Sequence, residues 1–84
     1  MKVAYIHEFL VEYEGLERAV RRRIRKKLDE LHRTPEKRFV HQALRGKQLK
    51  GLFKLRVGDW RLIYKLDNGV CVFITLGHRS EVYE

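Results

Sequence analysis

The chain has 84 residues, of which 19 are Lys or Arg and 11 are Asp or Glu, giving a net charge of +8. That length supports one small core, so a single domain spanning residues 1–84 is expected, and the charge favours an anionic partner, either nucleic acid or an acidic protein. A lone cysteine, Cys71, excludes an internal disulfide. The stretch from Lys2 to Phe9 is too short and polar for a signal peptide and no apolar run could span a bilayer, so a cytoplasmic protein is expected.

In chain order, Lys2 to Ile6 is apolar enough for a first strand. Residues 8–14 suit a short helix that Gly15 breaks. Leu16, Val20, Ile24, Leu28 and Leu31 recur at helical spacing and form one apolar stripe, and Thr34-Pro35 ends that helix because proline disfavours helix at the residue before it. Between Arg18 and Lys27 lie seven basic residues and no acid, on the face opposite the stripe and its flanks. Such a face is ordinarily solvated, and its functional alternative is contact with RNA phosphate. Glu36 to Leu44 suits a further helical turn or two, stopped by Gly46. Three strands follow, Leu52–Val57, Trp60–Leu66 and Val70–Leu76, joined by Gly58-Asp59 and Asn68-Gly69, both strong hairpin turns. Tyr83 belongs to a last short strand or a tail. The expected fold class is α+β, with an N-terminal strand and a helical pair packed on one face of a mainly antiparallel, hairpin-built sheet. Cys71 sits in an apolar strand, where a buried, inert thiol is expected.

The first hairpin carries a tension. A two-residue loop pairs Val57 with Trp60 and sets Arg56 opposite Arg61, with Lys54 two residues along on the same face. Like charges directly opposite each other destabilise a sheet. The cluster therefore either meets an anion or splays its long side chains into water, and the hairpin alone leaves both readings standing. The field is concentrated nearby: from Lys37 to Gly58 there are seven Lys or Arg and no acid. Other chemistries find little support. His7, His32, His41 and His78 lack metal-ligand spacing and no second cysteine exists, so no metal or cofactor is expected. The glycines form no phosphate-binding loop, and turn chemistry accounts for Asp59 and Asp67. Trp60 could stack on a base, but its alternation with Leu62, Tyr64 and Leu66 favours a core position.

Leu49-Lys50-Gly51, the hairpin from Lys54 to Tyr64, Gly77-His78-Arg79 and Tyr83 stand in an order and spacing that resembles the RelE family, within the RelE/ParE superfamily of toxin–antitoxin systems. The resemblance covers essentially the whole chain. It implies a RelE-like fold and a metal-independent endoribonuclease that cuts messenger RNA in the ribosomal A site, neutralised by an acidic antitoxin. It also implies roles for residues: Arg61 stabilises the transition state, Arg79 stabilises phosphate or assists the leaving group, Lys54 with Tyr83 activates the 2′-hydroxyl, and Arg56 holds phosphate. Guanidinium suits such work, being planar, always charged and bidentate toward phosphate, and a positive cluster lowers the pKa of any Lys, Tyr or His within it. Some members carry a basic residue where Leu52 stands here. His78 is a substitute for it, or else a turn residue that positions Arg79. Two alternatives remain: a ParE-like gyrase poison that does not cut RNA, and an inactive RNA-binding homologue, for which Leu52 is the best argument.

Overall fold

A computed structural model describes residues 1–81. Its strands are β1 (Lys2–Tyr5), β2 (Gln42–Ala43), β3 (Leu52–Val57), β4 (Trp60–Asp67) and β5 (Val70–His78), and its helices are α1 (His7–Glu14) and α2 (Arg18–Arg33). The strands form one sheet of order β1-β5-β4-β3-β2. β1 runs parallel to β5, and the other pairings are antiparallel, as a chain built from hairpins requires. The α+β class expected from the pattern is the one observed.

Helix α2 buries Ile24, Leu28 and Leu31, three positions of its apolar stripe, while Leu16 packs on the same core from just before the helix. The strands answer with alternate residues: Leu55 and Val57, Leu62 and Tyr64, then Cys71, Phe73 and Leu76. A bulge interrupts this alternation. Ile63 pairs with Thr75 and Tyr64 with Phe73, so Ile74 is the extra residue on β5. Unbroken alternation would have put Thr75 in the core. The bulge turns Leu76 inward, opposite Leu62, and sends Thr75 and Gly77 to the face away from the helices.

Two devices close the ends of the assembly. The N-terminal ammonium donates to the carbonyls of Leu31, His32 and Thr34 at 3.2, 2.9 and 2.9 Å. A cation thus satisfies the orphan acceptors at the negative end of α2. On the other side, β1 reaches along β5 only as far as Phe73. Beyond it α1 takes over, and Glu12 Oε1 accepts from Thr75 Oγ1 at 2.7 Å and from the Leu76 amide at 3.4 Å.

The structure departs from expectation between residues 36 and 44. A single 3-10 turn, Glu36–Arg38, gives way to extended chain and then to β2, which pairs with β3. The reason is a period of two. Phe39 packs on the core and His41 is half-buried, its Nδ1 2.7 Å from the Tyr64 hydroxyl, while Val40 between them is 81% exposed. Burial, with a smaller contribution from Cys71, pushes the Tyr64 hydroxyl well above its ordinary pKa, and burial likewise raises the Cys71 thiol. Cys71 is fully buried, as expected of an inert thiol. Leu66 is partly exposed rather than core. Tyr83 lies outside the described residues. Among those described, no helix is long and apolar enough to cross a membrane.

Candidate functional site

The expected register holds: Val57 pairs with Trp60, Arg56 with Arg61 and Lys54 with Ile63. Gly58 takes φ +59° while Asp59 stays on the negative side, the signature of a type II′ turn, whose twist suits a hairpin. Such a loop is flanked by a hydrogen-bonded pair, Val57 and Trp60. The next pair, Arg56 and Arg61, is then non-hydrogen-bonded, with Cα atoms only about 4.5 Å apart. The like charges therefore stand at the register position where facing side chains come closest.

The two arginines resolve this differently. Arg56 is exposed. Arg61 is 3% exposed, the buried charged residue of the described chain, and its Nη1 donates to the carbonyls of Gly58 at 3.0 Å and Trp60 at 3.1 Å. Folding back onto its own turn fixes the guanidinium in one orientation. Of the two readings the hairpin left open, splaying into water does not describe the buried Arg61.

Arg79 is carried to the same turn from the end of β5. Its amide donates to the Asp59 carbonyl at 2.7 Å, and its Nε lies 3.7 Å from Asp59 Oδ1. Both side chains are well over half exposed, so the ion pair orients Arg79 without hiding its charge. His78 is half-buried, with its ring edge-on to Trp60 at 5.6 Å. Its Nδ1 lies 3.0 Å from Ser80 Oγ and accepts from the Ser80 amide at 3.4 Å. This turn contact fits the reading in which His78 positions Arg79, and it leaves Nε2 as the ring nitrogen outside the turn. Trp60 packs against the core, as its alternation implied.

Lys54 and Arg56 also border hollows along the β3 edge that extend to α2. Two hollows of about 240 and 360 Å³ share Lys27 and Arg56. Lys54, Phe39 and Gln42 line one; Arg23, Lys26 and Gly58 line the other. Leu52, where some family members are basic, is part of the apolar floor of a separate cleft described below. Among the described residues, no group of three or more His, Cys, Asp or Glu is placed to share a metal ion.

Residues 3–83 match the family model described as ParE toxin of type II toxin–antitoxin system, parDE. The chain belongs to the ParE toxin family of type II toxin–antitoxin systems. Solved structures agree on the fold. The isolated Escherichia coli RelE toxin superposes with a TM-score of 0.67 at 25% identity, over 92% of this chain and 82% of that one. The RelBE2 toxin–antitoxin complex of Mycobacterium tuberculosis gives a TM-score of 0.74 at 24% identity, over 95% and 92% of the two chains. The archaeal RelE–RelB complex of Pyrococcus horikoshii OT3 gives 0.67 at 24%, over 96% and 97%. No match emerges among curated protein sequences.

Three features of this ParE-family chain escaped the sequence. Arg23 sends its guanidinium from α2 into the space a side chain at position 58 would need, so glycine there serves both the turn and the helix contact. Arg21 is half-buried, and its Nη1 donates to the carbonyls of Leu16 at 2.7 Å and Glu14 at 3.3 Å, tying down the α1–α2 turn. The basic run on α2 is therefore partly structural. Third, the face of the sheet away from the helices is not bare. Leu44, Leu49, Leu52 and Ile63 gather there beside Thr75 and Gly77, with Glu12 and Glu81 at the walls, around a cleft of about 360 Å³. The bulge that turns Thr75 outward had no sequence signal.

Proposed function

We propose that this toxin-family chain is an endoribonuclease that cuts messenger RNA without a metal, acts on RNA positioned by the ribosome in its A site, and is neutralised by an acidic antitoxin. The observation that carries the reading is the Arg56–Arg61 pair in its close register, with Arg79 tied to the same turn. Guanidinium groups gathered at one turn suit an RNA phosphate, being planar, always charged and bidentate toward its oxygens.

The chemistry follows from what such groups can do. The 2′-hydroxyl loses its proton to Lys54, acting with Tyr83, and its oxygen bonds to the adjacent phosphorus. The bond from phosphorus to the 5′-oxygen breaks, and that oxygen takes a proton with help from Arg79, or from His78 through Nε2. The products are a 2′,3′-cyclic phosphate and a 5′-hydroxyl. Arg56 holds the phosphate. Arg61, held by two carbonyls, meets the negative charge that builds up in the transition state without having to reorganise. Asp59, the carboxylate at this turn, is engaged by Arg79, and alignment of the substrate for in-line attack falls to the ribosome. A charge of +8 would steer an acidic partner, and a segment that folds on binding can cover a large part of so small a domain. The antitoxin-bound relatives support such a partner.

Induced expression should arrest growth, and purified protein should cut messenger RNA far faster on translating ribosomes than as naked RNA. Equal cutting of both would remove the ribosome from the proposal. A second reading, a gyrase poison, is favoured by the family model and by the burial of Arg61. Inhibited supercoiling by gyrase, with no RNA cut under either condition, would replace the nuclease reading with that one.

A further inference from the structure

The cleft on the outer face of the sheet adjoins the arginine cluster by register. Its floor includes Ile63 and Gly77, the cross-strand partners of Lys54 and Arg61. Its volume, about 360 Å³, falls in the range of small-molecule sites. Its lining is mixed in a telling way. Leu44, Leu49, Leu52 and Ile63 make it apolar, while Glu12, Glu81 and Thr75 add only carboxylates and a hydroxyl. A phosphate is repelled by such walls. The part of an RNA strand that can enter is therefore the base, whose faces are apolar and whose edge carries N–H groups.

Resting on the nuclease reading above, we propose that this cleft takes one unstacked nucleobase next to the phosphate held by the arginines, and that Glu12 and Thr75 read its hydrogen-bonding edge. The Thr75 hydroxyl hydrogen already goes to Glu12 Oε1, which also takes the Leu76 amide. The remaining capacity of the pair, Glu12 Oε2 and the Thr75 lone pairs, is for accepting. A site built of acceptors favours bases with amino groups. Guanine presents two adjacent donor groups on its Watson–Crick edge. Uracil presents one N–H between two carbonyls, which the carboxylates repel. The order of preference is guanine first and uracil last.

Neutral nucleosides isolate this contact from phosphate binding. Titrated into the whole protein, guanosine should shift the amide resonances of Thr75 and Gly77, uridine should not, and Glu12→Gln should weaken guanosine binding about tenfold. Leu49→Trp, which fills the cleft without touching the α1–β5 contact, should abolish the shifts. Cleavage mapped on a mixed-sequence RNA should show the same base order beside the cut, flattened by Glu12→Gln. Shifts confined to the 54–61 hairpin, or equal responses to all four nucleosides, would overturn the inference even where RNA is cut. Failure to cut any RNA would strike the nuclease reading instead, and the nucleoside titration would still decide whether the cleft takes a base.

Discussion

Arg61→Ala should damage both stability and activity, and the two losses should be separable. The side chain is 3% exposed, and its Nη1 serves two carbonyls at 3.0 and 3.1 Å. A hydrogen bond from a charged donor contributes about 1.5–3 kcal/mol. Because one nitrogen is shared between two acceptors, the pair is worth about 2–3 kcal/mol together. Removing a like charge opposite Arg56 returns up to about 1 kcal/mol. The net loss is then about 2 kcal/mol, which in a domain of this size lowers Tm by about 8–16 °C. The loss of a transition-state donor separately costs about two to three powers of ten in rate. Urea denaturation followed by circular dichroism measures the first, and cleavage on ribosomes, run well below the melting temperature of the variant, measures the second. Arg61→Lys keeps the charge but not the planar fork, so it should recover part of the stability and little of the rate. An Arg61→Ala protein within about 0.5 kcal/mol of the parent would refute the turn-clamping role, since that is the range of substitutions that break nothing. A soluble variant with full activity would refute the catalytic one.

Other consequences follow from the same contacts. Arg79→Ala should lower cleavage as steeply as Arg61→Ala but change the urea midpoint hardly at all, because an exposed ion pair contributes about 0–1 kcal/mol. Gly58→Ala should cost about 1–2 kcal/mol by denaturation, since φ +59° strains an L-residue and Arg23 fills the space a side chain needs. Stability should fall in alkali: the Tyr64 and Cys71 pKa values are raised in the fold, so their contribution is complete below the ordinary values of 9.0 for the thiol and 10.0 for the phenol and is lost as pH rises above them. Denaturation midpoints at pH 8 and pH 10.5 test this, and a flat profile would refute it.

The fold was legible wherever one period dominated. The stripe on α2 and the two turns set the helix and the β3–β4–β5 meander close to their true bounds, and the register of Arg56 against Arg61 followed from loop length alone. Where signals were short or mixed, legibility failed. Phe39 and His41 alternate over too few residues to announce a strand, so β2 reads as helix until Tyr64 is seen to hold His41. The Ile74 bulge leaves no trace in composition, yet it decides which of Thr75 and Leu76 packs into the core. Parallel pairing of β1 with β5 joins the two ends of the chain, a link no local pattern encodes.

The arginine cluster shows why charge alone was an incomplete guide. Equal formal charges on Arg21, Arg23, Arg61 and Arg79 do different work. Arg21 ties a helical turn, Arg23 covers Gly58, Arg61 clamps the hairpin, and only Arg79 stands well out in water beside a single carboxylate. A guanidinium with five donors can satisfy carbonyls and still direct its plane at an anion. On the proposed reading, the hydrogen bonds that hold Arg61 to its turn also set the orientation a phosphate would meet. A substitution chosen to abolish activity at Arg61 must therefore be read against the melting temperature, whereas one at Arg79 need not be.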